Sequence, residues 1–218
     1  MLSAQHLTRR YGKLVAVDDV SFELGSGEVV GLLGHNGAGK TTVTKLLTGF
    51  IEPSSGSAWI EGINVAAEPD RARSLLGYLP ETRPLYAELT VVEYLLFAAR
   101  MRGLSKQEQA DRVQGAIEAT DLKQRALHRI GTLSRGYQQR VGVAQAIMHR
   151  PQVLILDEPP NGLDPVQTQH MRQLIRKLAQ DATVVLSTHI MQEVDAICDR
   201  VLILISGRLV VDEQLSDL

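Results

Sequence analysis

The sequence predicts an α/β fold: a largely parallel sheet flanked by helices, a β-rich N-terminal part, and a helical insert that interrupts the alternation. Three observations carry this. The first is a set of continuous apolar runs: Val29-Val30-Gly31-Leu32-Leu33, Val153-Leu154-Ile155-Leu156, Thr183-Val184-Val185-Leu186 and Val201-Leu202-Ile203-Leu204-Ile205. Runs without polar alternation suit strands covered on both faces, as in a parallel sheet between helices. The second is the helical pattern that follows two of them. Residues 40–47 read as a helix, and Asp164-Pro165 supplies an N-cap and a first helical residue before an apolar face of Met171, Leu174, Ile175 and Leu178. The third is a stretch, 83–150, that carries helix signals in place of strands. Thr90 with Glu93, and Ser105 with Glu108, each fit the S/T-x-x-E capping box.

In chain order, 14–17 and 20–24 read as two strands parted by Asp18-Asp19, with Gly25-Ser26-Gly27 as a turn. Pro53-Ser54-Ser55-Gly56 is a loop leading to an edge strand over 58–62, with Trp59 expected in the core. A short strand at 75–79 is closed by Pro80. The two capping boxes start helices that run to about Arg102 and about Thr120; a third begins at Ser134 and ends before Pro151. The chain thus divides into a core with a β sub-domain, 1–82 and 151–218, and a helical sub-domain, 83–150.

At 218 residues the chain can bury one sizeable core, and 44% hydrophobic with 22% charged residues is ordinary for a soluble globular protein. A net charge of −2 with no basic run gives no footprint for nucleic acid. The single Cys198 excludes an internal disulfide and fits a reducing compartment; on an apolar helix pattern with Val194 and Ile197 it reads as a packed, inert thiol. The first ten residues lack a signal-peptide core, and no apolar run approaches the ~20 residues of a membrane helix. The expected location is cytoplasmic, or peripheral on the cytosolic face of a membrane through a partner. The short stretch after Leu209 predicts no appended regulatory domain.

Between the 29–33 run and the first helix lies Gly34-His35-Asn36-Gly37-Ala38-Gly39-Lys40-Thr41, followed by Thr42: an unbroken G-x-x-x-x-G-K-[ST] loop. Glycines let successive backbone N–H groups turn toward one anion, and the helix N-terminus adds partial positive charge. Lys40 is placed to reach outer phosphates and the Thr41 hydroxyl to hold Mg²⁺. Strand, loop and helix in that order predict a nucleoside-triphosphate site, against the bland reading of a Gly-rich turn.

Asp157 and Glu158 end the 153–156 run, at the carboxyl edge where α/β sheets bind ligands. Adjacent carboxylates repel, so a metal or phosphate partner is the better reading: Asp157 to hold Mg²⁺ through water, Glu158 to polarise an attacking water. Leu133-Ser134-Arg135-Gly136-Tyr137 offers a hydroxyl and bare N–H groups at a helix start, a second phosphate site that one nucleotide does not need but two facing chains would use. Alone it would read as a plain Ser N-cap. His189, after the 183–186 run, could donate a hydrogen bond to a terminal phosphate, though a lone histidine is usually structural. Tyr11 could offer an aromatic face to a base, a weak signal by itself.

Taken in order, these pieces resemble the ATP-binding cassette (ABC) family, from Tyr11 to about Asp212. Gly34 to Thr41 match its Walker A loop, and Val153 to Glu158 its Walker B strand with the catalytic glutamate. Leu133 to Tyr137 are similar to the LSGGQ signature, Gly162-Leu163-Asp164 to the D-loop, His189 to the switch histidine and Tyr11 to the adenine-stacking aromatic. The resemblance implies a P-loop NTPase fold: a RecA-like parallel core, an antiparallel β sub-domain and an inserted helical signature sub-domain. It implies two cassettes, identical or different, that sandwich two ATP molecules with Mg²⁺, each closed by the other's signature. It also implies a separate integral membrane permease driven by that closure, and no nucleic-acid partner. Glu81 stands where the family usually has Gln, and it would offer the metal a carboxylate. Arg135 and Tyr137 replace Gly and Gln in the signature. This combination resembles cassettes of drug-export, gliding-motility and copper-enzyme-maturation exporters. Pro160 stands where Thr or Ser is common. The alternatives are a soluble cassette ATPase acting on nucleic acid or ribosomes, which would need a long coiled coil or two cassettes, and a kinase or GTPase, for which no N-K-x-D motif is found.

Overall fold

The computed structural model describes residues 1–217. Strands β1 (Leu2–Tyr11) and β2 (Leu14–Leu24) form a hairpin, and β3 (Val29–Leu33) runs into helix α1 (Lys40–Leu47). Strands β4 (Ser55–Ile60) and β5 (Ile63–Asn64), helix α2 (Pro69–Ser74) and strand β6 (Leu76–Leu79) follow. The insert holds α3 (Val91–Met101), α4 (Lys106–Ala119) and α5 (Arg135–Ile147). The chain closes with β7 (Val153–Asp157), α6 (Pro165–Leu178), β8 (Thr183–Thr188), α7 (Met191–Ile197), β9 (Arg200–Ile205) and β10 (Arg208–Gln214).

The strands form two sheets. One is antiparallel, in the order β2-β1-β4-β5; the other runs β10-β9-β3-β8-β7-β6 and is parallel except for β10 at its edge. The expected apolar runs are β3, β7, β8 and β9, and β7 and β8 are buried at every residue. Helix α1 lies in the first core: its Val43, Leu46 and Leu47 pack with Leu2, Leu24 and Ile60 of the antiparallel sheet and Val30 and Leu32 of β3. On the other face of the parallel sheet, Leu154, Leu156, Val184 and Leu186 meet Met171, Leu174 and Ile175 of α6. The insert gathers a core of its own, from Val91 and Leu95 of α3, Val113 and Ile117 of α4, and Val141 and Ala144 of α5. Both capping boxes form, with the Thr90 and Ser105 side chains accepting from the Glu93 and Glu108 N–H groups. Among the described residues no helix is long and apolar enough to cross a membrane.

The structure differs from the expectation in the β-rich part. Residues 14–24 are one strand: Asp19, at φ 56°, lies where the pairing of β1 with β2 shifts, so the two aspartates mark a bulged stretch and not a break. Strand β1 has no sequence signal beyond Leu2, Ala4 and Leu7, the apolar residues it buries. Strand β4 is interior, and the two-residue β5 forms the edge. Alternation turns Ala58 and Ile60 inward and leaves Trp59 half-buried on the opposite face, its indole N–H donating to Ser57 Oγ at 2.9 Å. Helix α2 and strand β10 were not expected.

One buried contact ties the insert to the core and gives stability a pH dependence. His149, just past α5, lies with Nε2 3.0 Å from both the Leu76 carbonyl oxygen and Arg102 Nη1. Its Nδ1 is buried with no partner among the described residues. Burial, and then the charge of Arg102, pushes this imidazole down to about 4 from its ordinary 6.5. The unfolded chain therefore takes the proton first on acidification. The contribution is fully present above pH 6.5 and is lost as pH falls toward 4, at up to about 1.4 kcal/mol per pH unit. Urea unfolding at pH 7 and pH 5 should show a larger loss for the wild type than for His149→Gln. Equal losses would exclude His149 as the titrating group.

Candidate nucleotide-binding site

Strand β3 delivers the chain into the loop 34–39, and α1 carries it away. Two glycines are fixed by close backbone approach. A Cβ on Gly34 would lie 2.7 Å from the Leu204 carbonyl oxygen, and one on Gly39, at φ 106°, would lie 2.8 Å from that of Ala16. The loop turns through Ala38 N–H to the His35 carbonyl at 3.0 Å, and the Ala38 carbonyl accepts from Gly207 N–H at 2.9 Å. His35 and Asn36 form the exposed tip. Lys40 Nζ lies over the loop and donates to the Gly34 carbonyl at 2.6 Å. The first turn of α1 has no acidic residue, so its positive end and the side chains of Thr41 and Thr42 are unopposed.

Beside the loop is a cleft of about 500 Å³. Leu14, Val15 and Ala16 wall it on one side, and Asn36, Gly37 and 39–42 form its floor. Glu81, Asp157, Glu158, Ser187 and His189 enter from the carboxyl ends of β6, β7 and β8. Asp157 is only 3% exposed and accepts from Ser187 Oγ at 2.6 Å, Tyr78 Oη at 2.7 Å and Thr44 Oγ1 at 3.3 Å. Burial pushes its carboxyl up against the pull of those bonds, and the Glu81 charge adds to the rise. Burial and the Asp157 charge likewise raise the Tyr78 phenol. A buried carboxylate in that state is relieved by a cation.

Among the described residues no group of three or more His, Cys, Asp or Glu is arranged to hold a metal alone. Thr41, Asp157 and Glu81 line the same cleft with oxygen donors, the donor chemistry that a hard cation such as Mg²⁺ takes.

Glu158 leaves β7 at φ 47°, its N–H donating to the Ser187 carbonyl at 3.0 Å. This left-handed turn brings its carboxylate to His189, whose Nδ1 lies 2.9 Å from Oε1 and 3.0 Å from Oε2. Tyr11 is not among the lining residues. It pairs with Leu14 across the β1–β2 hairpin, 45% exposed, with the Arg9 guanidinium 4.7 Å above its ring.

The signature residues also stand outside the cleft. Ser134 caps α5 by backbone alone, leaving its hydroxyl uncommitted, and the Arg135 guanidinium lies against Gly162. Gly136 faces the Gln167 side chain, where a Cβ would come within 2.7 Å of Oε1. The Tyr137 ring sits between Arg125 and Arg140, at 5.3 Å and 5.6 Å. Asp164 caps α6, accepting from Gln167 N–H at 2.9 Å. Pro160 is buried, and its carbonyl accepts from Leu163 N–H.

Ser187, Asn161, Ser206, Gly207 and 14–16 are site residues that the sequence reading missed. Ser187 had a signal, a polar residue closing an apolar run beside His189. Ser206-Gly207 had none, because its place at the loop depends on β9 lying beside β3.

A cleft at the carboxyl ends of parallel strands, with an anion-seeking helix start facing a cation-seeking carboxylate, is that of a P-loop nucleoside-triphosphate-binding protein. Comparison with known proteins narrows this class. Residues 17–161 match the family model for the ABC transporter. The linearmycin resistance ATP-binding protein of Bacillus subtilis is 36% identical, covering 96% of this chain and 68% of the relative. The bacitracin transport ATP-binding protein of Bacillus licheniformis is 37% identical, covering 96% and 68%. A dimeric ATP-binding cassette solved in a post-hydrolysis state with ADP and Pi superposes with a TM-score of 0.86 at 25% identity, covering 99% of each chain. The chain belongs to the ABC transporter family. It is an ATP-binding and ATP-hydrolysing subunit.

Proposed function

We propose that the cleft takes ATP with Mg²⁺ and that Glu158 is the general base of hydrolysis. The observation that carries this is the Glu158–His189 pair, which faces the loop cradle across one cleft. The N–H groups of 37–42 and Lys40 bind the phosphates, and Thr41, Asp157 and Glu81 hold the metal. When bound, Mg²⁺ would supply positive charge against the charge that develops on the phosphates. Glu158 takes the proton of the attacking water, while His189 orients the carboxylate and turns Nε2 toward the terminal phosphate. Tyr11, exposed beside the Leu14 wall, stacks on the base. Glu158→Gln keeps shape and removes basicity, so kcat should fall ~10²–10⁴-fold with ATP affinity unchanged. A loss of affinity matching the loss of turnover would remove Glu158 from that role.

The site functions in a dimer, as a homodimer or with a related cassette. Its support is the idle Ser134 hydroxyl at the start of α5, outside its own cleft, and the dimeric state of the similar cassette. Ser134, Arg135, Gly136 and Tyr137 then close the partner's site, with Asp164 alongside. Neither Lys40→Ala nor Ser134→Arg should hydrolyse ATP alone, whereas their mixture should recover one working site per mixed dimer. A mixture that stays inactive although mixed dimers form would rule out action across the interface.

The membrane partner is a separate permease, and the cassette sits peripherally on the cytosolic face through it. An exporter is favoured by the resistance and antibiotic-transport relatives. A groove of about 860 Å³ between the end of α1, α2 and α3 supports such docking. Phe50 (74% exposed), Phe97 (41%) and Met101 (74%) line it, a concentration of large apolar side chains that suits an amphipathic helix. Phe97→Asp should abolish stimulation by the permease and leave basal ATPase within about twofold. Stimulation that survives would move the docking site elsewhere.

A further inference from the structure

Glu193 is the buried acid that the proposed mechanism leaves without a task. It lies in the first turn of α7, where a glutamate normally faces water and gains from the helix dipole, yet only 7% of it is exposed. Its Oε2 accepts from Thr188 Oγ1 at 2.7 Å. Thr188 is wholly buried at the end of β8, directly before His189, and its Oγ1 in turn accepts from Ile190 N–H at 3.2 Å. The Thr188 hydroxyl has one proton. With that proton committed to Glu193, a lone pair is held toward Ile190 N–H, and the turn through His189 is fixed on both sides. The Glu193 N–H closes the same turn by donating to the Ile190 carbonyl at 3.1 Å.

We propose that Glu193 is a positioning residue for hydrolysis: through the Thr188 hydroxyl it locks the 188–190 turn that holds His189 against Glu158. The assignment rests on the role given above to the Glu158–His189 pair. The surroundings agree with a placed carboxylate. Burial pushes its carboxyl up, the Thr188 bond pulls it back, the Glu158 charge adds to the rise, and Arg172 of α6 and His189 oppose it. A glutamate kept there only to start α7 would be as effective at an exposed position, without the cost of burial.

The test is a kinetic cycle on the full chain, with ATP affinity and melting temperature measured for each variant. Glu193→Ala and Thr188→Val should each lower kcat about 10-fold or more, with KM and ATP affinity within twofold. The double variant should be no worse than either single one, because both break one linkage. Glu193→Gln keeps an acceptor for the Thr188 hydroxyl and should recover kcat to within about threefold of the wild type. If Glu193→Ala does not fold, Glu193→Asp decides: its shorter carboxylate cannot reach Thr188, so it should lose kcat where Glu193→Gln keeps it. Losses that multiply in the double variant, or a Gln variant as impaired as the Ala or Asp one, would overturn the proposal. His189→Ala separates the two levels. If it leaves kcat intact, the role of the pair fails; if it collapses kcat while Glu193→Ala does not, only the positioning inference fails.

Discussion

The nucleotide site depends on three backbones meeting without side chains between them. Gly39 passes the Ala16 carbonyl, Gly34 passes that of Leu204, and Gly207 donates to the Ala38 carbonyl while its own carbonyl accepts from Asp18 N–H. The phosphate loop is thus clamped by chain from residue 16 and from residue 207, both remote in sequence. Each contact restrains a loop that would otherwise sample many conformations, so the loop is shaped before any anion arrives. The entropy of ordering has been spent on folding and is not charged to binding. The antiparallel sheet serves the same end, since its β2 strand supplies Ala16 and Asp18.

Against this preformed positive pole stands an excess of buried or crowded acid. Asp157 is nearly inaccessible, Glu158 and Glu81 line the same cleft, and Glu193 lies behind them. Hydroxyl donors from Thr44, Tyr78 and Ser187 relieve Asp157 only in part, because burial still dominates its carboxyl. Such an arrangement works against the stability of the isolated chain, and a cation held among these carboxylates would relieve it. Stability and function are opposed in one cluster of side chains.

Much of this was legible in the sequence, for definite reasons. Strands β7 and β8 are buried throughout, β3 over most of its length and β9 over half, and all four therefore read as unbroken apolar runs. Both capping boxes formed because a cap is local chemistry within four residues. The loop, Asp157, Glu158 and His189 lie within or just after such runs, so the order of elements brought them to one sheet edge. What escaped was non-local or weakly patterned. Strand β1 alternates imperfectly because its pairing shifts. The Asp18-Asp19 pair looked like a break because charge in a bulge is indistinguishable from charge in a turn. Gly207 reaches the loop only through the sheet order, which no short window encodes. Glu193 gave no signal, since an acid in the first helical turn is common and its burial is a tertiary fact.

Helix α5 is 13 residues long, about 20 Å. Its tip is Ser134, and its far half lies on β6, where two glycines let helix and strand approach closely. A Cβ on Gly77 would come within 2.4 Å of the Ala146 carbonyl, and one on Gly142 within 2.6 Å of Leu79. At Gly77 the strand therefore meets the helix backbone itself, and at Gly142 the helix rests on the Leu79 side chain. The strand on which the helix bears ends at Leu79, two residues before Glu81. A tilt imposed at the tip, about 20 Å away, would therefore bear on the segment that carries Glu81 into the cleft.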